Sequence, residues 1–292
     1  DGKEIVEPNM EKLLPGDRWI MSKCNNLVKD VTDNMDKFEL GIALQKVYDF
    51  IWDEFCDWYI ELAKYPIWHA DENPKAANAA LWTLKTVLAN GLKFLHPFMP
   101  FVSEEIYSAL VPEEESLMMS VWPEYKAEWA FAKEENVVEH MKEIIRGVRN
   151  IRAEMNVAPS RKAGVFVVCD NAELCAGFEE MKVSAASLMS ASEIVLQSDK
   201  EGIAEDAVSV VVTDAVVYLP LADLVDFEAE IARLTKEEER LSKELARVNG
   251  MLSNERFISK APQAKIDEEK AKLEKYTQMM GQVKERLAGL RK

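Results

Sequence analysis

The sequence predicts a mainly α chain: an antiparallel helical bundle, then a small α+β unit, then an antiparallel two-helix coiled-coil hairpin. Three observations carry this. Apolar residues recur at steps of three and four through the first 125 residues. Between Ala163 and Leu219 the pattern changes to short β-branched runs. From Asp223 to Lys292 two heptad seams flank a break that holds Pro262. The expected domains are therefore 1–125, 126–222 and 223–292.

In the first domain, Asp17 is placed to cap a helix whose face carries Ile20, Cys24, Leu27 and Val31. A second helix is expected from about Glu39 to Tyr65, with a stripe of Leu40, Leu44, Val47, Ile51, Phe55, Trp58 and Leu62, and with Pro66 ending it. A third should begin near Pro74 on Leu81, Leu84, Leu88, Leu92 and Leu95 and stop at the prolines of His96-Pro97-Phe98-Met99-Pro100. A short fourth opens at Pro100 or Ser103 and runs to about Leu110. Broad stripes of this kind pack as one bundle. Residues 131–156 read as another amphipathic helix, followed by strands at Ala163–Cys169, Glu193–Gln197, Val208–Thr213 and Ala215–Leu219, with a helix over Ala172–Met189. That order implies a three- or four-stranded sheet.

The first arm of the hairpin has a seam of Leu224, Phe227, Ile231, Leu234, Leu241, Leu245, Val248 and Leu252, with Glu238 as the polar intruder. The second has Ile266, Leu273, Tyr276, Met280, Val283, Leu287 and Leu290, with Glu269 as its intruder. Pro262 suits the first position of a new helix, where a missing N–H costs nothing. Arms of roughly 28 residues would each reach about 42 Å.

Composition narrows the function classes. The 292 residues carry a net charge of −16 and four cysteines without metal-ligand spacing, which read as reduced cytosolic thiols. The charge is spread as −11 over 1–125, −6 over 126–222 and +1 over 223–292. An acidic total opposes nonspecific polyanion binding, so a nucleic-acid partner must be met by local basic stripes. No apolar run is long enough to span a membrane, and Asp1-Gly2-Lys3-Glu4 is not a signal peptide. The missing initiator Met fits a piece of a longer chain. His69, His96 and His140 are scattered, and no phosphate loop, nucleophile motif or metal set is present, so no catalytic or metal residues are assigned. Met21-Ser22-Lys23 lies inside an amphipathic helix beside Ile20 and Cys24 and is read as part of that helix, not as a mobile nucleotide-binding loop.

Two basic clusters remain. Lys142, Arg146 and Arg149 lie at i, i+4 and i+7 on one helix, with Arg152 near its end. In the hairpin, Arg240, Lys243 and Arg247 lie one turn apart, and Arg256, Lys260 and Lys265 gather at the tip. Spacing alone favours solvated heptad flanks, while the tip, with few acids near it, suits phosphate contact.

Several segments resemble a known family. Glu54-Phe55-Cys56-Asp57-Trp58-Tyr59-Ile60-Glu61 and Leu95-His96-Pro97-Phe98-Met99-Pro100-Phe101-Val102-Ser103-Glu104-Glu105 are similar to the helical anticodon-binding domain of class I aminoacyl-tRNA synthetases for valine, isoleucine and leucine. Ser120-Val121-Trp122-Pro123 fits the exit from that bundle. The stretch Ile145–Pro159 and the turn Leu252–Pro262 resemble the valyl-tRNA synthetase family in particular, and no cysteine-bearing terminal zinc module of the isoleucine kind is seen.

The resemblance implies a C-terminal, tRNA-binding part of a ligase. The parent would join valine to tRNA(Val) with ATP and Mg, while this part would need no cofactor of its own. It implies tRNA-binding residues Arg240, Lys243, Arg247, Arg256, Lys260 and Lys265 on the arm, and Lys142, Arg146, Arg149 and Arg152 on the post-bundle helix. It further implies a cytoplasmic monomer whose partners are tRNA(Val) and the catalytic and editing domains of the same enzyme. Without those domains the chain should neither activate valine nor charge tRNA. The family's helix of Asn-Ala-x-Arg-Phe type has no counterpart before Asp17. The competing reading is a coiled-coil protein-interaction module on a helical scaffold.

Overall fold

The computed structural model describes residues 5–10, 13–224, 227–254 and 262–290. They form two compact units, 1–221 and 222–292. In the first, α1 (Pro15–Asp36) packs against a long rod made of α2 (Leu40–Asp49), a π-helical segment (Phe50–Tyr59) and α3 (Ile60–Trp68), then against α4 (Pro74–Leu95). The next helix, α5 (Pro100–Leu110), packs on α4. Helix α1 starts two residues before the expected cap. Pro15 occupies its first turn, and the Asp17 carboxylate reaches back to accept from Leu14 N at 3.1 Å.

The rod departs from the expected stripe because of the π segment. Its wider turn adds Phe50 and Tyr59 to the buried side, beside the expected Phe55 and Trp58. Ile51 is consequently half-buried, while Leu40, at the start of α2, is exposed and Leu44 is half-buried. Pro66 does not end the rod. It sits inside α3, and the Leu62 carbonyl that it cannot satisfy accepts from Ser184 Oγ at 3.4 Å. Helix α4 begins at Pro74, with Asn73 Oδ1 accepting from Ala76 N. Its buried face is Ala77, Ala80, Thr83, Val87, Gly91 and Phe94, offset from the leucine stripe: Leu92 is buried, Leu84 and Leu88 are half-buried and Leu81 is exposed. Small residues let α4 approach its neighbours closely, and the bulkier leucines then fall at the margin.

One buried pair gives the bundle a pH signature. Tyr59 Oη donates to Asp17 Oδ1 at 2.7 Å, and both side chains are enclosed. Burial pushes the Asp17 carboxyl from 3.8 up to about 6, although the hydrogen bonds from Tyr59 and Leu14 pull it down. The folded state therefore holds this proton more tightly than the unfolded chain. The stabilisation is complete below about pH 4 and is lost as pH rises through about 6, a change of about 2–3 kcal/mol at 1.36 kcal/mol per pKa unit. Between pH 7 and pH 4 the parent sequence should gain that amount relative to Asp17→Asn. Urea unfolding of both proteins at the two pH values measures it, and a constant difference would refute the assignment.

After two short 3₁₀ turns, Leu117–Met119 and Ala127–Trp129, comes α6 (Ala132–Glu154). It leads to β1 (Ala163–Val168), α7 (Ala172–Met189), β2 (Ala191–Gln197), β3 (Val208–Val212) and β4 (Ala215–Leu219), with sheet order β2-β1-β4-β3. Strands β1 and β2 are parallel through the α7 crossover, and β4 is antiparallel to both β1 and β3. Asn171 Oδ1 caps α7 by accepting from Glu173 N and Leu174 N, each at 3.1 Å. Helix α6 is the hinge pin of this unit, touching α1, α7, β3 and β4. A Cβ at Gly147 would stand 3.0 Å from Val210 Cγ1, so this glycine sets how closely α6 meets β3.

In the second unit a short helix, α8 (Leu221–Leu224), precedes α9 (Phe227–Leu252) and α10 (Gln263–Leu290), which pack on one another as an antiparallel hairpin. Their 26 and 28 residues correspond to about 39 and 42 Å. Leu234, Leu241, Val248, Ile266 and Leu287 are buried in the seam as expected. Glu269 is buried there too, with one oxygen 2.9 Å from Lys272 Nζ and the other without a partner.

Candidate nucleic-acid interface

The cations expected on α6 divide into two pairs. Lys142 is turned inward, its side chain only 3% exposed. Its Nζ lies 2.6 Å from Glu54 Oε2 and 3.0 Å from Glu139 Oε2, and over the rings of Trp19 and Trp58 at 5.0 and 5.5 Å. Lys23 joins the same network, 2.9 Å from Glu139 Oε1, which also accepts from Trp19 Nε1. Burial raises the Glu139 carboxyl, but the hydrogen bond from Lys23 and the charge of Lys142 outweigh it and hold the group below its usual range. Lys23 thus belongs to a helix and an ion network, beside the fully buried Ser22. Arg152 is 7% exposed and donates to the carbonyls of Ala158 and Arg161 at 3.2 and 2.6 Å, closing the turn into β1. Lys142 and Arg152 are thus structural groups withdrawn from solvent, and an expectation of phosphate contact through either meets that obstacle.

Arg146 and Arg149 face outward. Both guanidinium groups lie over the indole of Trp58, at 5.1 and 5.8 Å from its ring centre. Arg149 Nε also donates to Leu188 O, at the end of α7, at 2.9 Å. In the sequence Trp58 is one more apolar residue of a stripe. Nothing in its spacing announces that three cations from a helix some ninety residues later converge on it.

On the arm, Arg240, Lys243, Arg247 and Lys265 are exposed. Arg240 and Arg247 are each held by a carboxylate one turn earlier, Glu237 and Glu244, through Nε at 2.9 and 3.0 Å. Such exposed pairs are weak and exchange readily for another anion. Arg256 and Lys260 lie outside the described residues. Among the described residues no helix is long and apolar enough to cross a membrane.

The comparisons agree with this architecture. Residues 17–167 match the anticodon-binding domain of tRNA ligase, and residues 226–291 match the valyl tRNA synthetase tRNA binding arm. The valine–tRNA ligase of Clostridium acetobutylicum is 45% identical over 291 residues, covering 99% of this chain and 33% of that protein. The valine–tRNA ligase of Clostridium perfringens is 48% identical over 274 residues, 94% of this chain and 31% of its own length. That of Oceanobacillus iheyensis is 38% identical over 288 residues, 99% and 32%. The chain spans about a third of the length of the curated relatives it matches. A helical bundle matched over more than half of the chain, followed by a matched two-helix arm, places it: the chain belongs to the anticodon-binding domain family of tRNA ligases, in the branch marked by the valyl tRNA synthetase arm.

Proposed function

We propose that this chain is the tRNA-holding region of a cytoplasmic valine–tRNA ligase, divided as 1–125 for the anticodon-binding bundle, 126–222 for a connecting α+β unit and 223–292 for a tRNA-binding arm. The parent enzyme would join valine to tRNA(Val) with ATP and Mg, the chemistry residing in the remaining two thirds. The observation that carries the reading is the pairing of a matched bundle with a matched arm whose seam is apolar and whose flank displays cations. Seam residues face the partner helix, so only flank and tip groups can meet phosphates. A protein-binding arm would instead expose an apolar stripe beyond the seam.

The bundle supports a second element of the reading. At the end formed by the α1–α2 turn, the α4–α5 turn and the segment after Val111, it exposes Phe38 (88%), Phe101 (90%), Met118, Met119 and Val121. The segment is tied to α1 by Trp122 Nε1 donating to Thr32 Oγ1 at 3.0 Å. Apolar side chains gathered at one end suit a covered surface. The proposed cover is the catalytic and editing part of the same polypeptide, leaving the whole enzyme a monomer.

The arm is tested by replacing Arg256, Lys260 and Lys265 together by Ala in the 292-residue chain and titrating tRNA(Val) at several salt concentrations. Each lost phosphate contact should lower the salt slope of binding by about one, so a drop of up to about three is expected, with helicity retained. Unchanged affinity and slope would make these charges a solvated tip.

A further inference from the structure

Resting on the tRNA-holding reading, we propose that Arg146 and Arg149 form a phosphate-binding fork for an RNA backbone, and that Trp58 is the positioning residue that holds the two guanidinium groups together. The argument begins with charge. Three cations of α6, Lys142, Arg146 and Arg149, lie within 6 Å of one indole ring. The inner one is neutralised by Glu54 and Glu139. The outer two are exposed and, among the described residues, have no carboxylate in ion-pair contact, in a chain of net charge −16. Many surface cations of the same unit do have one: Arg18 with Glu134, Lys46 with Asp30, Lys85 with Glu113 and Lys133 with Glu173. Glu143, one turn before Arg146, is turned to the β3–β4 hairpin, where it accepts from Thr213 N at 3.3 Å.

Two like charges held side by side without a counter-ion repel, and the arrangement gains most when an anion bridges them. The ring face offsets part of the repulsion by cation–π attraction and orients the planar groups. Arg149 is fixed further by Leu188 O through Nε, which leaves its terminal nitrogens free to donate. Positions 146 and 149 are one helical turn apart, about 5–6 Å between Cβ atoms, a separation that lets both forks reach one phosphate. Gly147 and Val148 lie on the opposite, packed side of α6.

The test has two arms on the 292-residue chain. First, the indole N–H resonance of Trp58, assigned by its loss in Trp58→Phe, is followed by NMR during titration with tripolyphosphate. A saturable shift that disappears in the Arg146→Gln/Arg149→Gln protein is expected. No shift, or an equal shift in that variant, overturns the fork. Second, tRNA is titrated at several salt concentrations. The double Gln variant should bind about tenfold or more weakly, with a salt slope lower by up to about two. Arg146→Lys/Arg149→Lys should keep most of the slope while losing affinity, because charge remains and the stacked fork does not. Trp58→Phe, checked for unchanged unfolding, should likewise lose affinity with little change of slope. If the arm variants lower the slope and the double Gln variant does not, the fork is wrong and the tRNA-holding reading stands. If tripolyphosphate is bound at Trp58 but tRNA is not bound by the chain, the fork stands as an anion site and the tRNA-holding reading fails.

Discussion

Gly177→Val should be among the most destabilising single changes in the α+β unit. Helix α7 crosses α6 so closely that a Cβ at position 177 would lie 2.7 Å from Val137 Cγ1, 3.0 Å from Cγ2 and 3.3 Å from Cβ. Val137 is buried and β-branched, so its helical χ1 leaves it no rotamer in which to retreat. Alanine at 177 gains about 1 kcal/mol of helix propensity and forces a clash that costs about 1–3 kcal/mol, so a small net loss is expected. Valine adds two methyls to the same contact and loses most of the propensity gain, and should cost about 3 kcal/mol or more. Urea unfolding measures both. Pairing Gly177→Ala with Val137→Ala should recover more than the two single changes would give by addition, since the cavity made by one is filled by the other. Strict additivity would mean that α7 shifts away from α6 instead of pressing on it.

Lys142→Met should be of similar severity for a different reason. The substitution removes the ammonium from between Glu54 and Glu139 and leaves two carboxylates facing each other beside Trp19 and Trp58, with Lys23 2.9 Å from Glu139 but 3.9 Å from Glu54. Breaking a fully buried pair by removing one member costs about 3–5 kcal/mol, and because Glu54 and Glu139 are 23% and 39% exposed and can be partly hydrated, a loss of about 2–3 kcal/mol is expected. The loss should shrink as pH falls, because without the Lys142 ammonium the Glu139 carboxyl, held below its usual range by Lys23 and Lys142 in the unaltered chain, takes up a proton more readily and the repulsion from Glu54 is relieved. Lys23→Met, at the wetter edge of the same network, should cost about 1 kcal/mol or less. Thermal unfolding at pH 7 and pH 4 distinguishes the two positions, and equal losses would show that the network is not centred on Lys142.

These two sites mark where the sequence was legible and where it was not. The seam of the arm was readable because a heptad names its own buried positions, and Leu234, Leu241, Val248, Ile266 and Leu287 are where the period puts them. The strands were readable because β-branched runs of five to seven residues have no competing helical period. The stripe of the long rod was only partly legible. Val47, Phe55, Trp58 and Leu62 are buried as the stripe expects, but the wider turn of the π segment adds Phe50 and Tyr59 to the buried side and leaves Ile51 half-buried. Nothing in the local composition signals that insertion. The fate of Pro66 was equally hidden, since the group that satisfies the Leu62 carbonyl is Ser184, far along the chain.

The candidate interface divides the same way. Local spacing by itself determined that α6 carries a cationic stripe and that α9 carries another, because residues three and four apart share a helix face whatever surrounds them. It also determined the two-helix arm and the β-rich unit. It was silent on which cations of the α6 stripe reach solvent. Lys142 and Arg146 are one turn apart and chemically alike, yet one is buried and the other exposed. That difference was decided by tertiary structure alone: the rotation of α6 against α1 and the π segment brings Glu54 and Trp58 from a helix some ninety residues earlier under one side of the stripe. A helix's own period sets which residues share a face, but the elements packed against that face set which of its charges are neutralised, which are stacked and which remain free to hold an anion.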